Sequence, residues 1–289
     1  MQKIVIEGSH RLEGEITVSG AKNSVLPIMA ACILNEGVNT FTNVPDLADV
    51  RTMIELLEIL GAKIEFEKGF LSIDSTNINT WEAPYELVKT MRASVLVLGP
   101  LTTRFNRARV SLPGGCAIGE RPIDQHIKGL KILGAKTILE EGYVETSAKK
   151  LKGGIIPFDV STVTGTENIM LSACLAKGES VLLNAACEPE VVDLANVLIE
   201  MGADIEGAGT DIITIKGVNK LEPIKNYEIM PDRIEAGTLM VAAALNQSDL
   251  TLKNCKFEHV GTLAGKLIQT GTKVTKFNNS CLLYTNDAA

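Results

Sequence analysis

The sequence predicts an α/β fold built from a repeated unit of roughly 70 residues. Four segments share the order of an amphipathic helix, a glycine and a strand: MIELLEILGAKI, IKGLKILGAKT, ANVLIEMGADI and AGKLIQTGTKV. Their glycines, Gly61, Gly134, Gly202 and Gly271, are spaced by 73, 68 and 69 residues. A period of this length indicates structural duplication. The alternative is an ordinary α/β domain in which glycine caps recur.

Within each unit, local patterns predict the helices and strands. The apolar residues of the four segments recur at helical spacing, and each glycine fits a helix C-cap in the left-handed conformation. Strands such as Ile64–Phe66 and Ile212–Ile215 are expected to follow. A second, Ala-rich helix precedes each segment, as in MAACILNEG, SVLVLGPL, MLSACLAKG and LMVAAALNQ. Strands such as SVLLNAA and LTLKNCK follow these helices, so the unit holds two helices and several strands.

Composition bounds the class of the protein. With 289 residues, 45% of them hydrophobic, the chain can form one large or two smaller domains. The formal net charge of −7 argues against a general nucleic-acid binder. The longest apolar run, Val25–Leu34, contains Pro27 and is too short to cross a membrane. The N-terminus alternates like a strand and lacks the apolar core of a signal peptide, which favours a cytoplasmic location.

The six cysteines show no CxxC spacing and no paired pattern. Cys32 and Cys174 lie in Ala-rich helical stretches, where a thiol behaves as a small buried hydrophobe. A disulfide framework and a zinc site are therefore disfavoured. The sequence also has no metal-binding constellation and no dinucleotide-binding GxGxxG after a strand, so no cofactor is expected.

Residues 111–126, SLPGGCAIGERPIDQH, contain the densest group of reactive side chains. A Gly-Gly pair frees the backbone before Cys116, which is expected on an irregular loop. Arg121 supplies a cation and a bidentate fork for phosphate or carboxylate. A thiol near a cation can act as a nucleophile, as a general acid or as an inert group. The spacing to His126 neither supports nor excludes a Cys–His pair.

Three other stretches are candidates for anion binding. Lys22 and Asn23, in VSGAKNSVLP, precede a predicted helix over Val25–Leu34, and a lysine at a helix N-terminus favours anions. Arg92 lies among apolar residues, where a guanidinium needs an anionic partner or an outlet to a cleft. A Ser/Thr/Gly run within residues 158–171 opens an Ala-rich helix. The alternatives are a solvated lysine, an internal salt bridge of Arg92 and ordinary helix capping.

The PGGC loop followed by RP-hydrophobic-D, together with the SGAKN turn, resembles UDP-N-acetylglucosamine enolpyruvyl transferases. The resemblance covers residues 1–280 and implies transfer of the enolpyruvyl group of phosphoenolpyruvate to the 3-hydroxyl of UDP-N-acetylglucosamine. Phosphate is released in this first committed step of peptidoglycan synthesis. The implied fold is an inside-out α/β barrel, with six units in two lobes of three, helices inside and sheets outside. The implied partners are the two substrates, without nucleic acid or membrane.

The resemblance also implies roles for individual residues. Cys116 matches the proton donor, which also adds covalently to phosphoenolpyruvate and is the target of fosfomycin. Further candidates are His126, Asp232 and Arg233. For Asp124 and His126 the alternative is a local hydrogen bond that holds the loop. The implied substrate-binding residues are Lys22, Asn23, Arg92, Arg121, Pro122, Ile123, Asp124, Gln125, Ser161, Thr162, Val163, Thr164 and Gly165.

Other charged residues recur at matching points of successive units. They are expected to cap helices and brace the lobes, and two of them, Asp232 and Arg233, are also candidates for the cleft. The group comprises Glu188, Glu190, Asp193, Asp232, Arg233 and Glu235. Near the Ser/Thr/Gly run, some relatives carry a lysine close to Val160 that this chain lacks, so the contacts of residues 160–165 stay open.

Four units are fewer than the six of the resembling family. Residues 21–229 are expected to form one complete three-unit lobe, and residues 1–20 and 230–280 part of a second. Residues 281–289 resemble the conceptual translation of a sequencing-library adapter, which predicts a non-native tail on a C-terminally truncated chain. The base and several arginines that the resemblance implies for the late units would then be absent. The 289-residue chain is therefore expected to be poorly active or inactive.

Two other functions compete with this prediction. The shikimate-pathway enolpyruvyl transferases share the six-unit fold, but their family lacks the loop cysteine, so Cys116 argues against them. A non-catalytic UDP-sugar-binding or regulatory relative is the alternative of a different class. The joint presence of Lys22, Arg92, Cys116 and Arg121 disfavours that alternative.

Overall fold

Helices and strands alternate along the chain in a computed structural model that describes residues 11–84, 92–111, 123–140, 142–277 and 280–285, with residues 3, 5 and 8. Two 3-10 helices, Cys32–Leu34 and Arg92–Val97, accompany the α-helices. The α-helices of the described residues are α1 (Lys22–Ala31), α2 (Ala48–Leu60), α3 (Leu98–Phe105), α4 (Asp124–Ile132), α5 (Val163–Ala173), α6 (Pro189–Glu200), α7 (Arg233–Leu245) and α8 (Phe257–Gln269).

The described strands are mostly five or six residues long, with short strands at sheet edges. They are β1 (Glu13–Thr17), β2 (Val38–Thr42), β3 (Lys63–Glu67), β4 (Phe70–Asp74), β5 (Glu82–Ala83), β6 (Arg107–Ser111), β7 (Lys136–Glu140), β8 (Tyr143–Ser147), β9 (Ile155–Pro157), β10 (Glu179–Leu183), β11 (Asp204–Glu206), β12 (Ile212–Lys216), β13 (Tyr227–Glu228), β14 (Asp249–Lys253), β15 (Thr272–Phe277) and β16 (Ser280–Thr285).

The strands form four sheets of identical topology. Their orders are β13-β2-β4-β3, β5-β6-β8-β7, β9-β10-β12-β11 and β1-β14-β16-β15. In each sheet the first pair is parallel and the other two pairs are antiparallel. An amphipathic helix, α2, α4, α6 or α8, connects the second strand of each order to the fourth. This fourfold repetition confirms the repeated unit predicted from the sequence.

The glycines that close the amphipathic helices have the predicted left-handed backbone. The φ angles of Gly61, Gly134, Gly202 and Gly271 are +109°, +93°, +102° and +93°. A side chain makes this conformation unfavourable, so glycine ends the helix and turns the chain. The next strand, β3, β7, β11 or β15, begins one or two residues later.

The chain folds into two compact units, Lys22–Met230 and Met1–Ala21 with Pro231–Ala289. In the first unit, α1 and α5 are buried along most of their length and contact each other and α6. The outer strands alternate buried and exposed residues, so this unit has its helices inside and its sheets outside. The second unit has its own apolar core, which includes Val18, Met240, Leu250, Leu252, Val260 and Ala264.

Short edge strands link the three sheets of the Lys22–Met230 unit in a cycle. β5 leaves the first repeat and pairs in parallel with β6 of the second. β9 leaves the second repeat and pairs with β10 of the third, and β13 returns from the third to pair with β2 of the first. Each sheet therefore contains a strand from a different repeat.

The first core helix starts earlier than its sequence predicts. α1 begins at Lys22 rather than Val25, and residues 32–34 continue it as a 3-10 helix. In the first turn of α1, the Oγ of Ser24 donates a 2.5 Å hydrogen bond to Oδ2 of Asp193. This contact joins α1 to α6.

The end of the chain contains a strand that the sequence pattern did not predict. Cys281–Thr285 lie in β16, which pairs with both β14 and β15. In its sheet, β16 holds the position of β4, β8 and β12 in theirs, so these residues do continue the repeat. The hypothesis that residues 281–289 are non-native stays a prediction. The strand-like alternation of the first ten residues falls almost wholly outside the described residues.

Candidate functional site

Three predicted site segments lie at helix N-termini of the Lys22–Met230 unit. Lys22 and Asn23 open α1, Ile123 and Asp124 open α4, and residues 161–165 open α5. The first turn of a helix has N–H groups without intrahelical partners and a positive potential, which together favour anions. The chemistry expected at these positions is therefore binding of phosphate or carboxylate groups.

Lys22 forms an ion pair between two helices. Its Nζ lies 2.7 Å from Oδ2 of Asp49, in the first turn of α2. The side chains of Lys22 and Asp49 are 38% and 36% exposed, and Asn23 is exposed as well. Lys22 is therefore not a free solvated lysine, and its ammonium group stays accessible to solvent beside a carboxylate.

Thr162 caps the N-terminus of α5. Its Oγ1 accepts a hydrogen bond from the amide of Gly165 at 3.3 Å. A Cβ at Gly165 would lie only 2.3 Å from Cγ2 of Thr162, so glycine allows the threonine to close over the first turn. Ordinary capping, the alternative considered for this segment, is therefore present. Ser161 is exposed and Thr164 half-buried, so the turn also remains open to solvent.

Gln125 joins the N-terminus of α4 to the chain that precedes α5. Its Oε1 accepts from the amide of Asp159 at 3.0 Å, and its Nε2 donates to the Asp159 and Asp124 carboxylates at 3.3 and 3.0 Å. Nζ of Lys128 donates to Asp159 at 2.6 Å, and this bond, together with the one from Gln125, lowers the pKa of Asp159. The loop-fixing hydrogen bond considered for Asp124 is thus observed.

His126 is buried, with 3% of its surface exposed, and contacts α5 through both ring nitrogens. Its Nδ1 lies 2.9 Å from Nδ2 of Asn168, and its Nε2 lies 3.3 Å from Oγ1 of Thr164. Through Gln125 and His126, the structure thereby joins the first turn of α4 to Asp159, Thr164 and Asn168. Asn168 was missed by sequence reasoning. Its local sequence, TGTENIMLS, gives no sign of this role, because polar residues also stand beside it.

Four predicted residues cannot be placed in this geometry. Cys116, Arg121 and Pro122 lie outside the described residues, and so does the side chain of Arg92. The backbone of Arg92 begins the 3-10 helix Arg92–Val97, which leads into α3. The functions of these four residues therefore stay predictions.

Glu167 is a buried acid in α5. The residue is 1% exposed, and its Oε1 has no hydrogen-bond partner among the described residues. Burial, and then the charges of Glu190 and Glu188, raise the pKa of Glu167 well above its ordinary value. The folded chain therefore favours the protonated, neutral form of this side chain.

Asp193 braces the Lys22–Met230 unit. Its Oδ2 accepts from Oγ of Ser24 at 2.5 Å and from the amide of Met230 at 3.4 Å, and its Oδ1 accepts from the hydroxyl of Tyr227 at 2.7 Å. The carboxylate thus joins α6 to α1 and to the segment around β13. The bracing contact expected for this aspartate is confirmed.

Asp232 performs the capping expected in the other unit. Its Oδ1 accepts from the amides of Ile234 and Glu235 at 2.7 and 3.1 Å, and Arg233 is the first residue of α7. Glu235 in turn accepts from the amide of Ser19 at 2.9 Å. The candidate substrate contacts of Asp232 and Arg233 stay predictions.

A cavity of about 580 Å³ lies at the C-terminal ends of α1, α3 and α5, whereas the predicted site lies at helix N-termini. It is lined by the chain that follows these helices, including Asn35 and Asn106. Nη1 of Arg104 donates to the carbonyl oxygens of Ile33, Asn35 and Ser75 at 3.1, 3.0 and 3.2 Å. This guanidinium is therefore engaged with backbone oxygens. No described residue of the predicted site lines this cavity.

Cys32 and Cys174 are fully buried free thiols, as predicted. Burial raises the pKa of Cys174 to about 12, so this thiol stays protonated. Within the described ranges, no three His, Cys, Asp or Glu side chains are grouped so that they could hold a metal ion. In the same part of the chain, no helix is long and apolar enough to cross a membrane.

Curated relatives match almost the whole chain. The UDP-N-acetylglucosamine 1-carboxyvinyltransferase of Trichlorobacter lovleyi is 59% identical over 279 residues, which cover 96% of this chain and 66% of the relative. The protein of the same name from Myxococcus xanthus is 57% identical over 278 residues, covering 95% of this chain and 66% of the relative. The chain therefore spans about two thirds of the length of these relatives.

A family model and solved structures match the chain as well. The model described as EPSP synthase (3-phosphoshikimate 1-carboxyvinyltransferase) matches residues 6–286. The enolpyruvyl transferase NikO from Streptomyces tendae has a TM-score of 0.85 at 22% identity, covering 98% of this chain and 68% of that one. EPSP synthase from Acinetobacter baumannii has a TM-score of 0.75 at 20% identity, covering 96% and 65%. Likenesses at such identities show the fold alone, and they confirm the predicted fold class.

Proposed function

Because the chain belongs to the EPSP synthase family of enolpyruvyl transferases, we propose that it binds UDP-N-acetylglucosamine and phosphoenolpyruvate for enolpyruvyl transfer. The observation that carries this proposal is the meeting of the two segments expected to bind the UDP-sugar. Residues 123–126 and 161–165 are far apart in sequence, yet His126 contacts Thr164, and Gln125 accepts from the amide of Asp159, just before the second segment. Two helix N-termini side by side suit the two phosphates of a nucleotide sugar.

The proposed reaction needs an acid, an attacking hydroxyl and a site for phosphate. Cys116 protonates the methylene carbon of phosphoenolpyruvate while the 3-hydroxyl of the sugar attacks the neighbouring carbon and loses its proton to a base. The tetrahedral intermediate then returns a proton from its methyl carbon to the thiolate of Cys116 as phosphate leaves, and this elimination regenerates the double bond of the enolpyruvyl ether. A thiol suits this general-acid role when adjacent cations such as Arg121 tune its protonation. Cys116 can also add covalently to phosphoenolpyruvate.

The remaining predicted residues are proposed to hold the two substrates. Lys22, Asn23 and Arg92 bind the phosphate and carboxylate of phosphoenolpyruvate, by charge-assisted hydrogen bonds. Arg121, Pro122, Ile123, Asp124 and Gln125 line the sugar nucleotide together with Ser161, Thr162, Val163, Thr164 and Gly165. A substrate contact is also proposed for Asp232 and for Arg233.

The biological setting follows from the proposed chemistry. The product, an enolpyruvyl ether of a UDP-sugar, is the first committed precursor of peptidoglycan, so the proposed role is in cell-wall synthesis. Nucleotide sugars and phosphoenolpyruvate are anionic metabolites of the cytoplasm, where we place the protein. The shikimate-pathway reaction is the competing proposal. Cys116, which that family lacks, and the names of relatives more than half identical favour the UDP-sugar.

Covalent labelling by fosfomycin tests the proposal on the 289-residue chain. We expect addition of one fosfomycin at Cys116, faster in the presence of UDP-N-acetylglucosamine, as measured by mass spectrometry of intact protein and peptides. Cys116→Ser is expected to remain unlabelled, and Cys187→Ser, which removes an exposed thiol elsewhere, to label like the unchanged chain. Indifference of the labelling to UDP-N-acetylglucosamine, or acceleration by shikimate 3-phosphate instead, would contradict the proposal.

Turnover of the same chain is expected to be low. The four repeat units contain the proposed acid and anion sites, whereas the resemblance assigns the base to a fifth unit. A coupled assay of phosphate release should therefore give little or no turnover with both substrates, although binding is retained. Ordinary enolpyruvyl-transfer rates from the 289-residue chain would show that these units also supply the base.

A further inference from the structure

A buried hydrogen-bond chain leads from the core of the Lys22–Met230 unit to the N-terminus of α5. Its central residue is Asn168, which is fully buried. Oδ1 of Asn168 accepts from the amide of Gly99 at 2.8 Å, and Nδ2 donates to the carbonyl oxygen of Val95 at 3.0 Å. Nδ2 also lies 2.9 Å from Nδ1 of His126, whose Nε2 lies 3.3 Å from Oγ1 of Thr164.

The two backbone groups determine which way the Asn168 amide points. A flipped amide would set its NH2 group against the N–H of Gly99 and its oxygen against the carbonyl oxygen of Val95. Both contacts would then be repulsive, so Oδ1 faces Gly99 and Nδ2 faces Val95. Since Nδ2 is only a donor, it requires an acceptor at Nδ1 of His126.

The tautomer of His126 follows from that requirement. A neutral imidazole has one donor and one acceptor nitrogen, so an accepting Nδ1 leaves the proton on Nε2. The Nε2–H then donates to Oγ1 of Thr164. A ring protonated on both nitrogens would set Nδ1–H against the NH2 group of Asn168, which the network disfavours.

The hydroxyl group of Thr164 is the last member of this hydrogen-bond chain. Because Oγ1 accepts from His126, its own proton points elsewhere, and no acceptor for it is found among the described residues. Thr164 is half-buried in the first turn of α5, where amide groups already favour an anion. The hydroxyl can therefore add one directed donor to those amides.

We propose that Asn168 and His126 are positioning residues that make the Thr164 hydroxyl a hydrogen-bond donor to a phosphate oxygen of the bound nucleotide sugar. This inference rests on the proposed function for the identity of the ligand. The order of the hydrogen bonds, from Asn168 to His126 to Thr164, rests on the structure alone. Each donor in such a chain polarises the next, so the last hydroxyl is a stronger donor than an isolated threonine.

The tautomer of His126 can be measured without any ligand. Long-range proton–nitrogen NMR correlation distinguishes protonated from unprotonated ring nitrogens, and the chain has only three histidines to assign. We expect a proton on Nε2 and none on Nδ1 in the unchanged chain at neutral pH. In Asn168→Asp a carboxylate oxygen would face Nδ1 and attract the proton there. A proton on Nδ1 of His126 in the unchanged chain would overturn the proposal.

Binding of UDP-N-acetylglucosamine tests the last member of the hydrogen-bond chain, the Thr164 hydroxyl. Thr164→Val removes the hydroxyl at constant shape and is expected to weaken binding about 10- to 100-fold, as for loss of a bond to a charged group. Thr164→Ser is expected to recover most of that affinity. Asn168→Asp, which reverses the tautomer, should weaken binding similarly, and Thr164→Val/Asn168→Asp no further than either change alone.

Calorimetric titration of all four variants, after unfolding curves confirm that each is folded, separates the outcomes. The proposal would be overturned if the losses of affinity in the two single variants added up in the double variant. It would also be overturned if Thr164→Val bound UDP-N-acetylglucosamine as tightly as the unchanged chain. If Asn168→Asp does not fold, the NMR measurement and the Thr164 pair still decide. An unchanged chain that binds no UDP-N-acetylglucosamine would instead overturn the proposed function, and the ligand role of Thr164 with it.

Discussion

Lys22 takes part in an ion pair and is also the proposed anchor for phosphoenolpyruvate. An ion pair of two half-exposed side chains contributes at most about 1 kcal/mol to stability. A charge-assisted hydrogen bond to a ligand phosphate is worth about 1.5–3 kcal/mol. Lys22→Met is therefore expected to lower the free energy of unfolding by less than about 1 kcal/mol and to weaken phosphoenolpyruvate binding by about tenfold or more.

Urea unfolding and calorimetric titration measure these two quantities separately. Lys63→Met is a matched control, because Lys63 is an exposed lysine of the same unit, with a side chain 80% exposed. The control is expected to change neither stability nor affinity appreciably. A Lys22→Met variant that loses stability but keeps its affinity would show that Lys22 is structural only.

Glu167 gives stability a dependence on pH of known sign. Its pKa is raised in the folded chain, so the folded state binds its proton more tightly than the unfolded state does. Stability is therefore greatest below the unfolded pKa, near 4.5, and is lost as pH rises towards the folded value. The slope from this one group is at most about 1.4 kcal/mol per pH unit.

Glu167→Gln replaces the acid by a neutral isostere and should remove that slope. The free energy of unfolding of the variant, measured in urea from pH 4.5 to pH 8, is expected to exceed that of the unchanged chain increasingly as pH rises. Glu58→Gln, an exposed substitution on α2, serves as the control and is expected to leave the pH profile unchanged. Parallel profiles for Glu167→Gln and the unchanged chain would contradict the assignment.

Among single residues, the sequence predicted those whose chemistry is local. Lys22 and Thr162 stand next to helix starts, and capping or anion binding depends on neighbours along the chain. Asn168 and Asp49 were not predicted, because their partners, His126 and Lys22, are distant in sequence. Such contacts depend on how helices pack, and a single sequence contains no pattern that reports it.

At the scale of helices, the four closing glycines allow a comparison between equivalent sites. Gly61 and Gly134 both have positive φ, but their surroundings differ. A Cβ at Gly61 would lie 2.5 Å from the carbonyl oxygen of Asn77, whereas a Cβ at Gly134 would meet no atom within 4 Å. Alanine at either site has the cost of the left-handed backbone, about 1–2 kcal/mol, and only Gly61 adds a clash with backbone.

Gly134→Ala is therefore expected to lower the free energy of unfolding by about 1–2 kcal/mol, and Gly61→Ala by clearly more. Gly134→Asn should lower the free energy of unfolding by less than Gly134→Ala does, because asparagine tolerates the left-handed conformation. Urea unfolding of the three variants measures these differences. Equal losses at positions 61 and 134 would mean that the chain around Asn77 yields without cost.

Some helices and strands were predicted from the sequence and others were not. The amphipathic helices and their glycines were predicted because helical spacing and a C-cap are visible within a dozen residues. The edge strands β5, β9 and β13 were not predicted, since two or three residues contain no alternation to detect. Their partners lie in other repeats, so only the folded chain reveals the pairing. β16 was not predicted either, because its residues differ in sequence from those of β4, β8 and β12.

In the whole chain, the edge strands β5, β9 and β13 all pair with strands of the Lys22–Met230 unit and link its three sheets in a cycle. β13 closes the cycle by pairing Tyr227 with Phe41 and Glu228 with Thr42. The backbone amide of buried Ile229 donates a further hydrogen bond to the carbonyl oxygen of Thr42 at 3.0 Å. The last residues of this unit are therefore part of the sheet that begins its first repeat.

A fragment of residues 22–230 is expected to unfold cooperatively by itself, since its sheets and its core lie within that range. A fragment of residues 22–225 should be less stable by at least about 3 kcal/mol, because it loses β13, the buried Ile229 side chain and the hydroxyl bond to Asp193. Calorimetry and urea unfolding of the two fragments provide the comparison.

Tyr227→Phe in the 22–230 fragment isolates one part of that loss. It keeps the backbone pairing of β13 and removes the 2.7 Å bond to Asp193, so the expected loss is about 1.5–3 kcal/mol. The rest of the difference between the two fragments then measures strand closure and apolar burial. Equal stability of the two fragments would show that the first sheet needs no strand from the third repeat. The cycle would then be a feature of topology without energetic consequence, and each repeat would be stabilised by its own helices alone.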